Sequence, residues 1–263
     1  MHLTMYQVDA FTNERFKGNS AAVLELERWL DDATMQNIAI ENNLSETVFF
    51  VKQTDGSYHI RWFSPLCEID FCGHATLASA FVLFKQNPSV DLLSFEADAI
   101  GAFTVSRGEN GFINMTFDTQ APEPVIDIPD TLLNGVGIKP VNVLRNRQAY
   151  FVVYDDSKVV RSLKPNLETL KQLAPFDVVI TAPDQQYDFI SRYFWPANGG
   201  DEDPVTGSIH CGLAPYWGQR LNKNNLVAYQ ASSRGGVIHC ALANEKITLS
   251  GQAILYMTAT IEI

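Results

Sequence analysis

The chain contains no G-x-G-x-x-G and no G-x-x-x-x-G-K-[ST] anywhere in its 263 residues. The glycine-rich phosphate cradles of nicotinamide, flavin and ATP sites are therefore missing from the sequence. Basic residues are in deficit: 19 Lys and Arg face 30 Asp and Glu, and the net charge of −11 argues against nucleic acid or an anionic membrane as partner. Uncharged runs such as 71–84 and 205–219 fall short of a bilayer span and are broken by His, Ser, Thr or Gln. Residues 1–16 lack the basic start and apolar core of a signal peptide. Cysteine is scarce: there are four, none in a Cys-x-x-Cys pair, which predicts reduced thiols in a cytoplasmic protein rather than a disulfide framework. His210-Cys211 and His239-Cys240 are adjacent pairs whose side chains diverge on a helix or a strand, so neither pair can grip one ion, and no metal is expected.

What is present is the composition of a soluble globular chain, 46% hydrophobic and 19% charged, long enough for one large domain or two of ordinary size. Two glycine-headed apolar segments stand almost half a chain apart. One reads Asp70-Phe71-Cys72-Gly73-His74-Ala75-Thr76 and runs on to Phe84; the other reads Asp203-Pro204-Val205-Thr206-Gly207-Ser208-Ile209 and runs on to Trp217. Each has an aspartate shortly before the Gly, a Cys or Thr against it and a small-residue helix pattern after it. Two helix N-termini opened by Gly can each aim backbone N–H groups at an anion, which predicts one small carboxylate substrate held between two similar lobes.

Short strands alternate with helices around these segments. In the first half the pattern predicts strands over 3–9, 21–26, 47–53, 58–64, 92–96, 102–107 and 112–117, and a helix over 32–42 capped by Asp31 or Asp32. Asp55-Gly56 between apolar runs is a hairpin signal. The stretch 118–129 carries three prolines and reads as a linker. Beyond it a helix is expected over 166–174 and strands over 148–154, 178–181, 187–194, 227–230, 237–242 and 254–263. The helix following Gly73 has no charged face and must be wrapped on all sides. The expected fold is α/β, mixed and mainly antiparallel: two pseudo-symmetric lobes, 1–118 and 119–263, each a curved sheet around a central helix. The last strand is free to return to the first lobe.

Among the residues that bear chemistry, Glu46 stands where an apolar strand begins and reads either as a solvated strand-end carboxylate or as a general acid/base. Cys72-Gly73-His74 places a Gly that permits close backbone approach beside a group that exchanges protons near neutrality. Asp203-Pro204-Val205-Thr206-Gly207-Ser208 offers a carboxylate, hydroxyls and N–H groups, and capping and anion binding would use the same atoms. Gly18-Asn19-Ser20 reads as a turn.

Taken together, Phe16-Lys17-Gly18-Asn19-Ser20-Ala21-Ala22-Val23, Ser45-Glu46-Thr47, Cys72-Gly73-His74-Ala75-Thr76 and Asp203-Pro204-Val205-Thr206-Gly207-Ser208 resemble, in that order and over essentially the whole chain, the phenazine-biosynthesis isomerase (PhzF-like) family. The resemblance implies a diaminopimelate-epimerase-like fold with the site between two lobes. It implies Glu46 as proton shuttle, Asp203, His74 and Ser208 as polar neighbours of the substrate, and the amides at Gly73 and Gly207 as anion holders, with Cys72 and Thr206 flanking them. It also implies a homodimer, a small carboxylate-bearing substrate, and neither a metal nor an organic cofactor. Two departures stand out. Ser20 takes the place of the family's usual proline, and Thr206 stands where a two-thiol racemase of this fold needs its second cysteine. A threonine hydroxyl is far too weak a base for that role. The alternatives are a protein that binds a carboxylate without turning it over, and a one-thiol epimerase using Cys72.

Overall fold

The structure, a computed structural model, describes all of residues 1–263. Its elements in chain order are β1 (His2–Ala10), β2 (Asn19–Leu26), α1 (Asp32–Asn42), β3 (Glu46–Lys52), β4 (Tyr58–Phe63), β5 (Glu68–Ile69), α2 (Gly73–Gln86), β6 (Leu92–Ala97), β7 (Gly101–Arg107) and β8 (Ile113–Asp118). There follow β9 (Glu123–Pro124), α3 (Asp130–Val136), β10 (Asn142–Arg145), β11 (Ala149–Val153), α4 (Ser157–Ser162), α5 (Leu167–Leu170), β12 (Asp177–Pro183), β13 (Phe189–Phe194) and β14 (Glu202–Asp203). The chain closes with α6 (His210–Leu221), β15 (Asn225–Gln230), β16 (Gly236–Ala243), β17 (Lys246–Gly251) and β18 (Ala253–Glu262). It divides into two compact units, Met1–Thr116 with Ser250–Ile263, and Phe117–Leu249.

The first unit is one sheet with two helices. β1 pairs antiparallel with β18 and β2; β2 runs parallel to β3; β3 is antiparallel to β4; and β4 is antiparallel to the short β5 and parallel to β6, which continues antiparallel into β7. Helix α2 packs on β18, β1, β2, β3 and β7, so the sheet curves around it, as the lack of a charged face before Lys85 requires. Local chemistry sets the ends of the elements. Asp31 accepts from Thr34 N at 2.9 Å at the start of α1, and the Asp55-Gly56 turn is closed by Gln53 N to Ser57 O at 2.8 Å.

The second unit repeats the same succession of pairings. β10 is antiparallel to β9 and β11, β11 is parallel to β12, and β12 is antiparallel to β13. β13 in turn is antiparallel to the short β14 and parallel to β15, which is antiparallel to β16. Its helix α6 meets β11 where Gly212 comes so close to Phe151 that a Cβ would sit 2.6 Å from the ring. It meets β12 and β13 through Trp217, whose Nε1 donates to Thr181 Oγ1 at 2.9 Å and whose ring stacks on Phe189. The repeat extends to one ion pair. Arg61 forks onto Glu68 with two contacts of 2.6 Å, and Arg192 forks onto Glu202 at 2.7 and 2.8 Å. Each bidentate pair ties a two-residue strand to its neighbour just before the glycine segment.

The mixed, mainly antiparallel architecture follows the sequence pattern, with three corrections. The stretch 118–129 is not wholly linker, because Glu123 and Pro124 pair with β10. The helix expected over 166–174 is a single α-turn, α5, that tightens into 3₁₀ geometry over Lys171–Leu173. Gly207 does not open a helix. Residues 207–209 form a tight turn, with His210 N on Gly207 O at 3.0 Å and Cys211 N on Ser208 O at 3.1 Å, and α6 starts at His210.

Candidate active site

In the first unit three elements converge on one imidazole. Gly18 turns the chain into β2 with φ +68°, and a Cβ there would lie 2.2 Å from the Ala10 carbonyl oxygen, so only glycine fits and Asn19 is fixed at the strand's head. Asn43, left-handed at φ +47°, ends α1 and releases the chain into β3, whose first residue is Glu46. Gly73 opens α2 directly behind Cys72, which makes no side-chain capping bond to the first helical turn. Glu46 Oε2 lies 2.8 Å from His74 Nε2, while Cys72 Sγ and Asn19 Nδ2 approach Nδ1 at 3.3 and 3.2 Å. His74 and Cys72 are buried, and the Glu46 side chain is only 14% exposed.

Burial pushes the His74 imidazolium down, but a negative charge on Cys72 and the Glu46 carboxylate pull it up more strongly, and His74 stands well above its ordinary value. Burial also raises the Cys72 thiol, and Glu46 adds to the rise. Glu46 is the counter-ion that helps keep the proton on His74. The Glu46–His74 contact is close but off the line of an aligned hydrogen bond, so Oε2 is buried without an aligned donor. Such an oxygen keeps a lone pair unsatisfied by the protein, at a cost in desolvation. The Asn19 amide can face Nδ1 with its N–H or, turned over, with its oxygen, and the second orientation suits an imidazolium.

Glu46, Cys72 and His74 also offer three donor atoms within 4.8 Å of one another, a convergence that residue spacing did not foretell. A soft divalent ion seated there would have to break the Glu46–His74 pair and ionise a thiol whose burial opposes it. The arrangement favours proton chemistry over ligation.

The other expected residues lie in the second unit. The Thr206 hydroxyl donates to Asp203 Oδ2, and Gln230 braces the segment, accepting from Thr206 N and donating to Asp203 O, each at 2.8 Å. Thr206 is therefore committed to Asp203, a second reason it cannot act as a racemase base. Past Gly207, Ser208 Oγ accepts from Gln148 Nε2 at 2.9 Å. His210 donates from Nδ1 to Thr206 O at 2.8 Å, stacks on Phe189, and is held neutral by burial, its value lowered to about 4. Sequence reading missed Gln230 and Gln148, which act on residues far away in the chain and carry no local signal. It took Asn19 only for a turn residue. The signal for Asn19 was the Gly before it.

Comparison with known proteins places this geometry. Residues 8–259 match the model of a family described as phenazine biosynthesis-like protein. The chain is 47% identical to an uncharacterized isomerase of Pseudomonas aeruginosa, with all of both chains covered. It is 42% identical to the crystal structure of a phenazine biosynthesis protein of the PhzF family from Enterococcus faecalis, again with both chains fully covered, at a TM-score of 0.95. A protein of Pseudomonas aeruginosa described as a predicted epimerase shares the fold at a TM-score of 0.79 with 18% identity, each chain covered to 99%.

Proposed function

We propose that this chain, which belongs to the phenazine biosynthesis-like family and is an isomerase by that kinship, moves a proton within a small carboxylate-bearing substrate and uses Glu46 as the acid/base. The observation that carries the reading is the buried Glu46–His74 pair at the uncapped start of α2. In the proposed step Glu46 takes a proton from a carbon beside an electron-withdrawing group. The C–H electron pair moves into the conjugated system, and the same carboxyl returns the proton at another carbon. Substrate and product have the same atoms and electrons, so the step balances without an oxidant or reductant. His74 holds Glu46 in place beside the start of α2, and the first amides of α2 offer donors to the oxygen on which charge collects. Asp203, Thr206, Gly207 and Ser208 enter the proposal through the family resemblance.

The one-thiol alternative is disfavoured by burial, which raises the Cys72 thiol above its ordinary value and so opposes formation of the thiolate base. The test is solvent exchange: a panel of cyclic and amino-acid carboxylates is incubated with the protein in heavy water and examined for deuterium at carbon. Glu46→Gln is expected to lower exchange by roughly 10²- to 10⁴-fold while thermal stabilisation by the same ligand persists. Exchange retained in that variant rejects Glu46 as the shuttle. Exchange lost in Cys72→Ser and retained in Glu46→Gln would give the chemistry to the thiol.

A further inference from the structure

The repeat in strand pairing assigns Glu46 a counterpart. Glu46 heads β3 opposite Ala21 of the parallel β2, and Asp177 heads β12 opposite Ala149 of the parallel β11. The residue after each segment's glycine is His74 in the first unit and Ser208 in the second. In the first unit the strand-head carboxylate touches that residue directly. In the second it reaches it through two side chains: Tyr193 OH donates to Asp177 Oδ2 at 2.5 Å, and Gln148 Nε2 donates to Tyr193 OH and to Ser208 Oγ, each at 2.9 Å. Asp177 Oδ1 accepts from Asn198 Nδ2 at 2.8 Å. Asp177 is buried, and so is Tyr193.

The chain of bonds has a direction. An ionised carboxylate only accepts, and both Asp177 oxygens meet donors. Tyr193 must therefore spend its one proton on Asp177, and its oxygen is left to accept. That fixes the Gln148 side chain with its NH₂ toward Tyr193, and the second N–H of the same group then falls on Ser208 Oγ. Ser208 is thereby made an acceptor toward the protein, and its own proton is left for a ligand. Burial raises the Asp177 carboxyl, and the donors Tyr193 and Asn198 work against that rise.

We infer that Asp177 is a positioning residue: acting through Tyr193 and Gln148, it sets Ser208 as a hydrogen-bond donor for the carboxylate of the substrate. This rests on the function proposed above. It extends that reading by giving Ser208 a defined polarity and by naming three residues that impose it. The chemistry recognised is an acceptor-only anion. A ligand hydroxyl or amine presenting its proton to Ser208 would meet a proton already there.

Two measurements test it, one without ligand. The Gln148 side-chain amide protons, observed by ¹⁵N NMR in the parent, are expected to be protected from solvent exchange and to lose that protection in Tyr193→Phe. Fast exchange in the parent overturns the relay. The second measurement titrates benzoate, a plain aromatic carboxylate, into the parent, Tyr193→Phe, Ser208→Ala and the double variant. Each single change is expected to weaken binding roughly 3- to 10-fold, the worth of one net hydrogen bond, and the double variant to bind no more weakly than Ser208→Ala. If Tyr193→Phe weakens binding equally with and without Ser208, Tyr193 acts by packing and the inference falls. Benzoate binding unchanged in Ser208→Ala overturns the donor role of Ser208 and leaves the Glu46 chemistry standing, because that is read by exchange and not by affinity. Gln148→Glu gives an arm that does not depend on Tyr193→Phe folding. Its carboxylate can only accept, so it takes the Ser208 proton and turns it inward; benzoate should then bind more weakly than to Ser208→Ala, and binding at the parent's level overturns the relay.

Discussion

His74 carries a pH-sensitive interaction in the first unit. Burial pushes its pKa down, the charges of Cys72 and Glu46 push it up, and the net direction is upward. A base whose value is raised on folding contributes stability that is complete below the unfolded value and is lost as pH rises through the folded one. The Cys72 thiol, also raised, acts in the same sense only where an unfolded thiol ionises. The window that isolates His74 therefore lies between about 6.5 and about 8.5, the ordinary histidine and cysteine values. Within it the parent should lose stability with rising pH, and His74→Gln should show a shallower slope in urea denaturation at a series of pH values. An equal slope in the two proteins would mean that His74 is not charged in the folded state. Glu46 and Cys72-Gly73-His74 were legible in the sequence as residue types at telling places. That Glu46 lies 2.8 Å from His74 was not, because it depends on Asn43 and Gly73 delivering two distant segments to one point.

Elements were legible where a local signal fixed their ends and hidden where tertiary packing overrode it. The Asp31 cap and the Asp55-Gly56 turn declare α1 and the β3–β4 hairpin outright. Helix α3 does not declare itself, since Gly135 and Gly137 read as breakers. Gly135 is there because α3 crosses α5 so closely that a Cβ would lie 2.3 Å from Leu170 Cδ2, and Gly137 is the left-handed cap that ends the helix at φ +70°. The start of α6 was hidden by the same kind of cause. The turn over 207–209 is held by Gln230 on Thr206 from one side and by His210 on the Thr206 carbonyl from the other, partners that no window of sequence brings together. His210 gives this element its own pH test. Its value falls to about 4 on folding, so the penalty for protonation appears as pH drops below about 6.5 and grows to about 3 kcal/mol below the folded value. The direction is opposite to that of His74, and the two windows do not overlap. His210→Gln, which keeps a donor for the Thr206 carbonyl but does not titrate, should flatten the fall in stability on the acid side. An unchanged acid limb measured by denaturation between pH about 6.5 and about 4 would show that His210 is solvated rather than buried.

At the scale of the whole molecule the sequence showed two glycine segments and hence a duplication, and the pairing pattern of the strands bears out how thorough that duplication is. In each unit the first long strand is flanked on one side by a further strand, β9 beside β10 in the second and β18, from the far end of the chain, beside β1 in the first. In the second unit the flanking strand is two residues long, whereas β18 covers β1 along its whole length, from His2 opposite Glu262 to Ala10 opposite Ala253. β18 also brings Ala259 and Ile261 to the apolar cluster built on Met5, Leu24, Phe49 and Phe63. Removing residues 253–263 would strip one side of β1 of its hydrogen bonds and open a long edge beside buried Val8 and Ala10. The second unit has its own apolar cluster around Val152, Ile180 and Phe194, made of residues the truncation leaves in place. The expected result is selective. In the truncated chain amide hydrogen exchange should lose protection in β1, β2 and α2 and retain it in β11, β12 and β13, and the protein should aggregate through the exposed edge at concentrations where the parent stays in solution. Protection kept in β1 would mean that its pairing with β2 and its packing on α2 suffice without β18. Protection lost throughout would mean that the second unit's cluster cannot hold its strands once the first has opened.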